Sequence, residues 1–119
     1  MKSNYGIESE LEDLIHLDDV DAAVLFRIDG SVVKSAFNEQ NCVHIIRMLQ
    51  WCKSNVEKVS LEMKTNNLKK VTYELNETNI LFFIVNNVTI LTTLATHNAN
   101  MSLLSIEAKR KSSLISQYL

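Results

Sequence analysis

The sequence predicts an α/β (α+β) domain of three layers, α-β-α, built on a five-stranded, mainly antiparallel sheet. Three observations carry that expectation. A long run over residues 41–64 repeats apolar side chains at steps of three and four, the spacing of one helical face. Before it, two apolar runs of strand length flank an Asp-Gly pair, a hairpin signal. After it, three further strand-length runs are separated by Asn-rich turns. The order α-β-β-α-β-β-β-α covers the sheet on both faces, with the long helix on one and the two terminal helices on the other.

The segment Ser3 to Leu17 places Ile7, Leu11, Leu14 and Ile15 at helical spacing. Glu8, Glu10, Glu12 and Asp13 sit early in it, where they favour the positive end of the helix dipole. Asp18-Asp19-Val20-Asp21 then favours a turn, because these side chains bond locally to the backbone. Strands are expected at 22–28 and 31–36, joined by a two-residue turn at Asp29-Gly30. On the long helix, Cys42, Ile45, Leu49, Cys52, Val56, Val59 and Met63 form the line that faces the sheet. A second line, His44, Met48, Trp51 and Asn55, lies about 100° around the axis at about 100° per residue. A Trp and a Met outside the main stripe are suited to a second contact.

Asn66-Asn67 ends the helix, and strands are expected at 68–75, 79–86 and 88–96. The first of these alternates, with Val71, Tyr73 and Leu75 on one face and Lys70, Thr72 and Glu74 on the other, the pattern of an edge strand. Ile80 to Val85 is apolar on both faces, which predicts the central strand. A final helix over 98–118 carries Met101, Leu104, Ala108 and Ile115 on one stripe, with Asn98 or Asn100 as its cap.

At 119 residues the chain is expected to form a single domain, residues 1–119. No apolar run approaches the roughly 20 residues that span a bilayer, and the first residues lack a signal-peptide core, so a cytoplasmic protein without membrane insertion is expected. Residues 1–40 carry nine acidic and three basic side chains, whereas residues 41–119 carry nine basic and five acidic ones. The net charge of −2 and the lack of a clustered basic face argue against nucleic-acid binding. Cys42 and Cys52 lie ten positions apart on one helix, about 15 Å, too far for a disulfide, and read as buried thiols.

Chemistry-bearing motifs are missing. With glycine only at positions 6 and 30, a GxxxxGK[ST] phosphate loop cannot be built, and there is no HExxH, CxxC or GxSxG. His16 with Asp18, Asp19 and Asp21 lacks the Gly and downstream Glu of a calcium loop and reads as a solvated turn. Lys109-Arg110-Lys111 fans around its helix, as solvated or dipole-favourable charge. Arg27, inside a strand, reads as the partner of a neighbouring carboxylate. No catalytic, metal or cofactor site is expected.

Taken together, Val24-Leu25-Phe26-Arg27-Ile28-Asp29-Gly30-Ser31-Val32-Val33-Lys34-Ser35 and Thr96-His97-Asn98-Ala99-Asn100-Met101-Ser102-Leu103-Leu104, in this element order, resemble the roadblock/dynein light chain family. The first stretch looks like that family's strand, acidic-Gly turn and strand, and the second like its last strand running into an Asn-led helix. Profilin and longin domains are the nearest related type, and a helix before the first strand favours roadblock. The resemblance covers essentially the whole chain. It implies a homodimer, or pairing with a related roadblock subunit, through residues 68–75 and 41–64. It further implies a small Ras-like GTPase as partner, regulated or scaffolded by a module with no active site of its own. A structural adaptor subunit of a dynein-like motor or trafficking complex is the alternative. The interface residues so implied are Arg47, Met48, Trp51 and Asn55 on the long helix and Lys70, Thr72 and Glu74 on the edge strand.

Overall fold

A computed structural model describes residues 4–40 and 42–119. Eight elements follow in the expected order: α1 (Asn4–Ile15), β1 (Val20–Arg27), β2 (Val32–Phe37), α2 (Cys42–Thr65), β3 (Lys70–Leu75), β4 (Thr78–Asn86), β5 (Thr89–Thr96) and α3 (Met101–Ser116). Ser3 and Asn41, which the periodicity placed in helices, lie outside the described residues.

The five strands form one sheet in the order β2-β1-β5-β4-β3, antiparallel at every junction. The middle strand is therefore β5, where the sequence pointed to β4. Thr89, Thr92 and Thr93 interrupt the apolar run of β5, yet seven of its eight residues are buried. Threonine's branched Cβ suits a pleated interior as well as valine's does, so polarity concealed the most enclosed strand. By contrast Phe83, Ile84 and Val85 of β4 are only half-buried, because β4 adjoins the edge strand.

Two apolar layers enclose the sheet. Ile7, Leu11 and Leu14 of α1 and Leu104, Ala108 and Ile115 of α3 pack with Leu25, Leu81 and Leu91 on one face. On the other, Ile45, Cys52, Val56, Val59 and Met63 of α2 meet Val24, Phe26, Ile80, Phe82 and Ile90. Each buried Val, Leu, Ile, Phe or Met among them contributes about 1.5–3 kcal/mol by leaving water. The expected core line of α2 loses two members: Cys42 is exposed at the helix start, and Leu49 is half-buried toward β2.

The first hairpin is tighter in pattern but longer in loop than the Asp-Gly pair predicts. Arg27 N–H donates to the Ser31 carbonyl at 2.8 Å and Gly30 N–H to the Arg27 carbonyl at 2.9 Å, enclosing three residues. Gly30 adopts φ 95°, and a Cβ there would come within 3.1 Å of the Lys53 carbonyl oxygen on α2. Asp29 closes the turn by accepting from Ser31 N–H at 2.9 Å and from its hydroxyl at 2.7 Å. Those two bonds hold the Asp29 carboxyl below the usual carboxylate range. At the other end of the chain Asn100 caps α3, its Oδ1 accepting from Leu103 N–H at 3.0 Å.

The charges of α1 do not serve the helix dipole, since none lies in the first turn. Glu10 and Asp13 instead receive Lys111 of α3 at 2.9 and 2.7 Å, and Glu8 lies 3.8 Å from Lys34 of β2. Lys111, expected in solvent, is 5% exposed at its side chain. Burial pulls its pKa down, but the bonds its ammonium donates to Asp13 and Glu10 outweigh that and leave the pKa raised. Arg27 is exposed and forms no ion pair among the described residues.

Candidate interaction surface

The edge strand β3 organises the predicted surface residues. Its alternation is as expected: Val71, Tyr73 and Leu75 are half-buried beneath α2, while Lys70, Thr72 and Glu74 are exposed. The hydrogen-bond phase of this strand decides what its free side offers. Ile84 N–H donates to the Lys69 carbonyl at 3.0 Å, and Lys69 stands two residues before Val71 in a register that pairs Val71 with Phe82 and Tyr73 with Ile80. Bonded and non-bonded pairs alternate in an antiparallel ladder. The odd-numbered residues therefore bond to β4, and the N–H and C=O groups of Lys70, Thr72 and Glu74 point outward, away from the sheet. Asn76, at φ 41°, turns the chain back into β4.

Above the edge, the second line of α2 leans toward the same border. Trp51 meets Tyr73 of β3 edge-on, with ring centroids 5.6 Å apart, and Tyr73 meets Phe82 in the same way at 5.8 Å. Such pairs add about 0.5–1.5 kcal/mol beyond area burial. Burial, followed by the Glu62 carboxylate beside it, pushes the Tyr73 hydroxyl up. Trp51 and Met48 are half-buried against the α2-side core, so each is part core and part surface. Asn55 is turned inward along its own helix, its Nδ2 donating to the Trp51 carbonyl at 2.8 Å. Arg47 is exposed near the start of α2, one turn along from Val43, which is 72% exposed.

Six of the seven residues thus border one edge from two faces, and Arg47 stands apart near the start of α2. Met48, Trp51 and Asn55 lie above it on α2, and the side chains of Lys70, Thr72 and Glu74 lie below it on the side of α3, where Lys70 Nζ donates to Ser105 Oγ at 2.6 Å. His44, which periodicity set at the head of the same α2 line, bonds Thr78 Oγ1 through Nε2 at 2.7 Å and pins the helix start to β4, a partner the spacing did not reveal. Periodicity missed the exposed apolar side chains Ile46 and Leu61, which lie outside both lines of the helix. Among the described residues no group of His, Cys, Asp or Glu is arranged to hold a metal ion. None of their helices is long and apolar enough to cross a membrane.

Residues 2–109 match the family model described as AF0774-like protein. The chain belongs to the AF0774-like protein family. No curated protein matches it in sequence. Among solved structures it resembles MglC from Myxococcus xanthus, with a TM-score of 0.79 and 12% identity over 96% of this chain and 99% of that one. It also resembles the Roadblock/LC7 domain from Streptomyces avermitilis, with a TM-score of 0.75 and 17% identity over 93% and 95% of the two chains. Myxococcus xanthus MglB gives 0.75 and 16%, over 93% and 92%. This member of the AF0774-like family therefore has the roadblock fold that its element order and hairpin suggested.

Proposed function

We propose that the protein is a non-enzymatic, dimeric roadblock-type module that binds a small Ras-like GTPase and regulates its nucleotide cycle or scaffolds it. The observation that carries this reading is the open β3 edge, with its outward backbone groups and the Trp51-Tyr73 pair directly above them.

Self-pairing of that edge has one favoured register. In a two-fold antiparallel pairing centred on Thr72, all three outward-bonding residues find partners: Thr72 faces its own copy, and Lys70 faces Glu74 of the second chain, twice. Registers centred on Val71 or Tyr73 engage only two of the three and lose the opposite-charge match. On the α2 face the same register sets Val71 against Tyr73 of the second chain, an apolar-aromatic cross-strand pair. The sheet then runs through ten strands, and the two α2 helices come side by side, presenting Arg47 and Val43 as a platform for a partner. An effect on hydrolysis would arise from ordering the GTPase's own catalytic loops, by tighter binding to one of its two states.

The test is GTP hydrolysis by each small Ras-like GTPase of the same source, with and without excess protein, repeated with Trp51→Ala. Acceleration that Trp51→Ala loses supports a regulator working through α2. Because Trp51 is half-buried, the variant also loses about 2 kcal/mol of stability, roughly half the cost of a fully buried aromatic, so the assay belongs well below its melting temperature. Unchanged hydrolysis with every GTPase, together with no complex by gel filtration, would leave the motor or trafficking adaptor as the better reading.

A further inference from the structure

On the face of the sheet opposite α2, α1 packs over β1 and β2 and α3 over β4. Between α3 and the β3-β4 border lies a groove of about 770 Å³. Its floor is apolar: Phe83 and Val85 are half-buried, and Ile106 of α3 is 64% exposed beside them. Its charged residues are all cationic, Lys69, Lys70 and Lys109, and among the described residues no carboxylate lines it. The wall formed by α3 carries serines at helical spacing, small enough to let another backbone come close. One of them, Ser112, is 4% exposed, and its hydroxyl has no hydrogen-bond partner among the described residues. A buried hydroxyl without a partner is costly, and here it lines a groove that is otherwise apolar at the bottom and basic at the rim.

We infer that this groove docks an acidic amphipathic helix of a partner protein. Secondary structure follows from the walls. The backbone of α3 is spent within its helix, that of β4 within the sheet, and the free groups of β3 point along the sheet plane. An extended segment laid in the groove would find no backbone partners, whereas a helix satisfies its own N–H and C=O groups. The apolar floor calls for a leucine-like stripe, and the cationic rim calls for Glu or Asp on both flanks. A free anion would leave the floor uncovered. A flat lipid surface would not reach into a concave groove. The site is separate from the α2 platform; it shares Lys70 with the proposed β3 pairing, so in the dimer its cationic rim rests on Lys69 and Lys109.

The test uses a synthetic 16-residue helical peptide with leucines at i, i+3, i+4 and i+7 spacing and glutamates elsewhere, its twin with lysines in place of the glutamates, and phosphatidylserine vesicles. Binding is read by fluorescence anisotropy and mapped by amide shifts. The acidic peptide is expected to bind, to weaken with salt, and to shift Phe83, Val85, Ile106 and Ser112. The lysine twin should bind at least tenfold more weakly. Lys69→Glu with Lys109→Glu should cost the acidic peptide about tenfold and gain affinity for the lysine twin. Both side chains are exposed, so the fold and its melting temperature should be unchanged. Equal affinity for the two peptides, no binding of the acidic one, shifts confined to α2, or binding of vesicles in place of the peptide would each overturn the assignment.

Discussion

Reversing one charge at the β3 edge tests the proposed dimer at its most specific point. In the register centred on Thr72, Lys70→Glu replaces two Lys-Glu cross-strand pairs with two Glu-Glu pairs. An opposite-charge pair is worth about 0.2–1 kcal/mol and a like-charge pair costs a similar amount, so each site changes by about 0.4–2 kcal/mol. The two-fold axis doubles this to about 1–4 kcal/mol, and a central value of about 2 kcal/mol weakens dimerisation roughly 30-fold. Lys70→Glu with Glu74→Lys restores both pairs in reverse and should return the dissociation constant to within a few-fold of the original. Sedimentation equilibrium over a concentration series measures all three proteins, and raising salt should shrink the difference between them. Lys70 and Glu74 are exposed in the single chain, and Lys70 gives up only its bond to Ser105. Thermal unfolding at low concentration should therefore be nearly unchanged. Self-association that ignores Lys70→Glu, or a double variant as weak as the single one, would refute the register and with it the argument from the outward-bonded residues.

Two further predictions concern the interior. Lys111→Met removes the cation that joins α3 to α1 and strands the carboxylates of Glu10, whose side chain is 14% exposed, and Asp13, 58% exposed. Breaking a buried pair costs about 3–5 kcal/mol, but water reaches Asp13, so a loss of about 2–3 kcal/mol by urea titration at pH 7 is expected. The same group sets an alkaline limit. A raised lysine contributes its full stability below the unfolded-state pKa of about 10.4 and loses it as pH climbs through the higher folded value. The gap between wild type and Lys111→Met should therefore close above that pH, and a gap constant from pH 8 to 12 would be inconsistent with this assignment. The two thiols should also separate cleanly. Burial pushes Cys52 up to about 12, whereas Cys42 is exposed, so a thiol reagent at pH 8 should modify one cysteine in the native protein and the second only on unfolding.

Periodicity located the elements well because each depends on residues close in the chain. The β3 alternation, the Asn100 cap and the main stripe of α2 are local patterns, and they reappear with ends displaced by two residues or so. Lys111 could not be placed, because its partners Glu10 and Asp13 lie 101 and 98 positions away and nothing in the neighbourhood of a Lys-Arg-Lys triplet announces burial. The candidate surface was half legible. Trp51 outside the core line signalled a second contact, but its edge-on contact with Tyr73 makes it part core as well as part surface, and Asn55 is held to its own helix.

From the sequence alone, the number, kind and order of the eight elements follow, as do the edge character of β3 and the likeness to the roadblock family, because spacing, turn residues and caps act over a few positions. Only the tertiary structure decided that β5 lies at the centre, with β1 on one side of it and β4 on the other. The same holds for Lys111 bridging two helices, and for the cationic groove left between α3 and the sheet border. These features depend on which distant segments come to share a face, a choice made by burying the largest joint apolar area rather than by any local pattern.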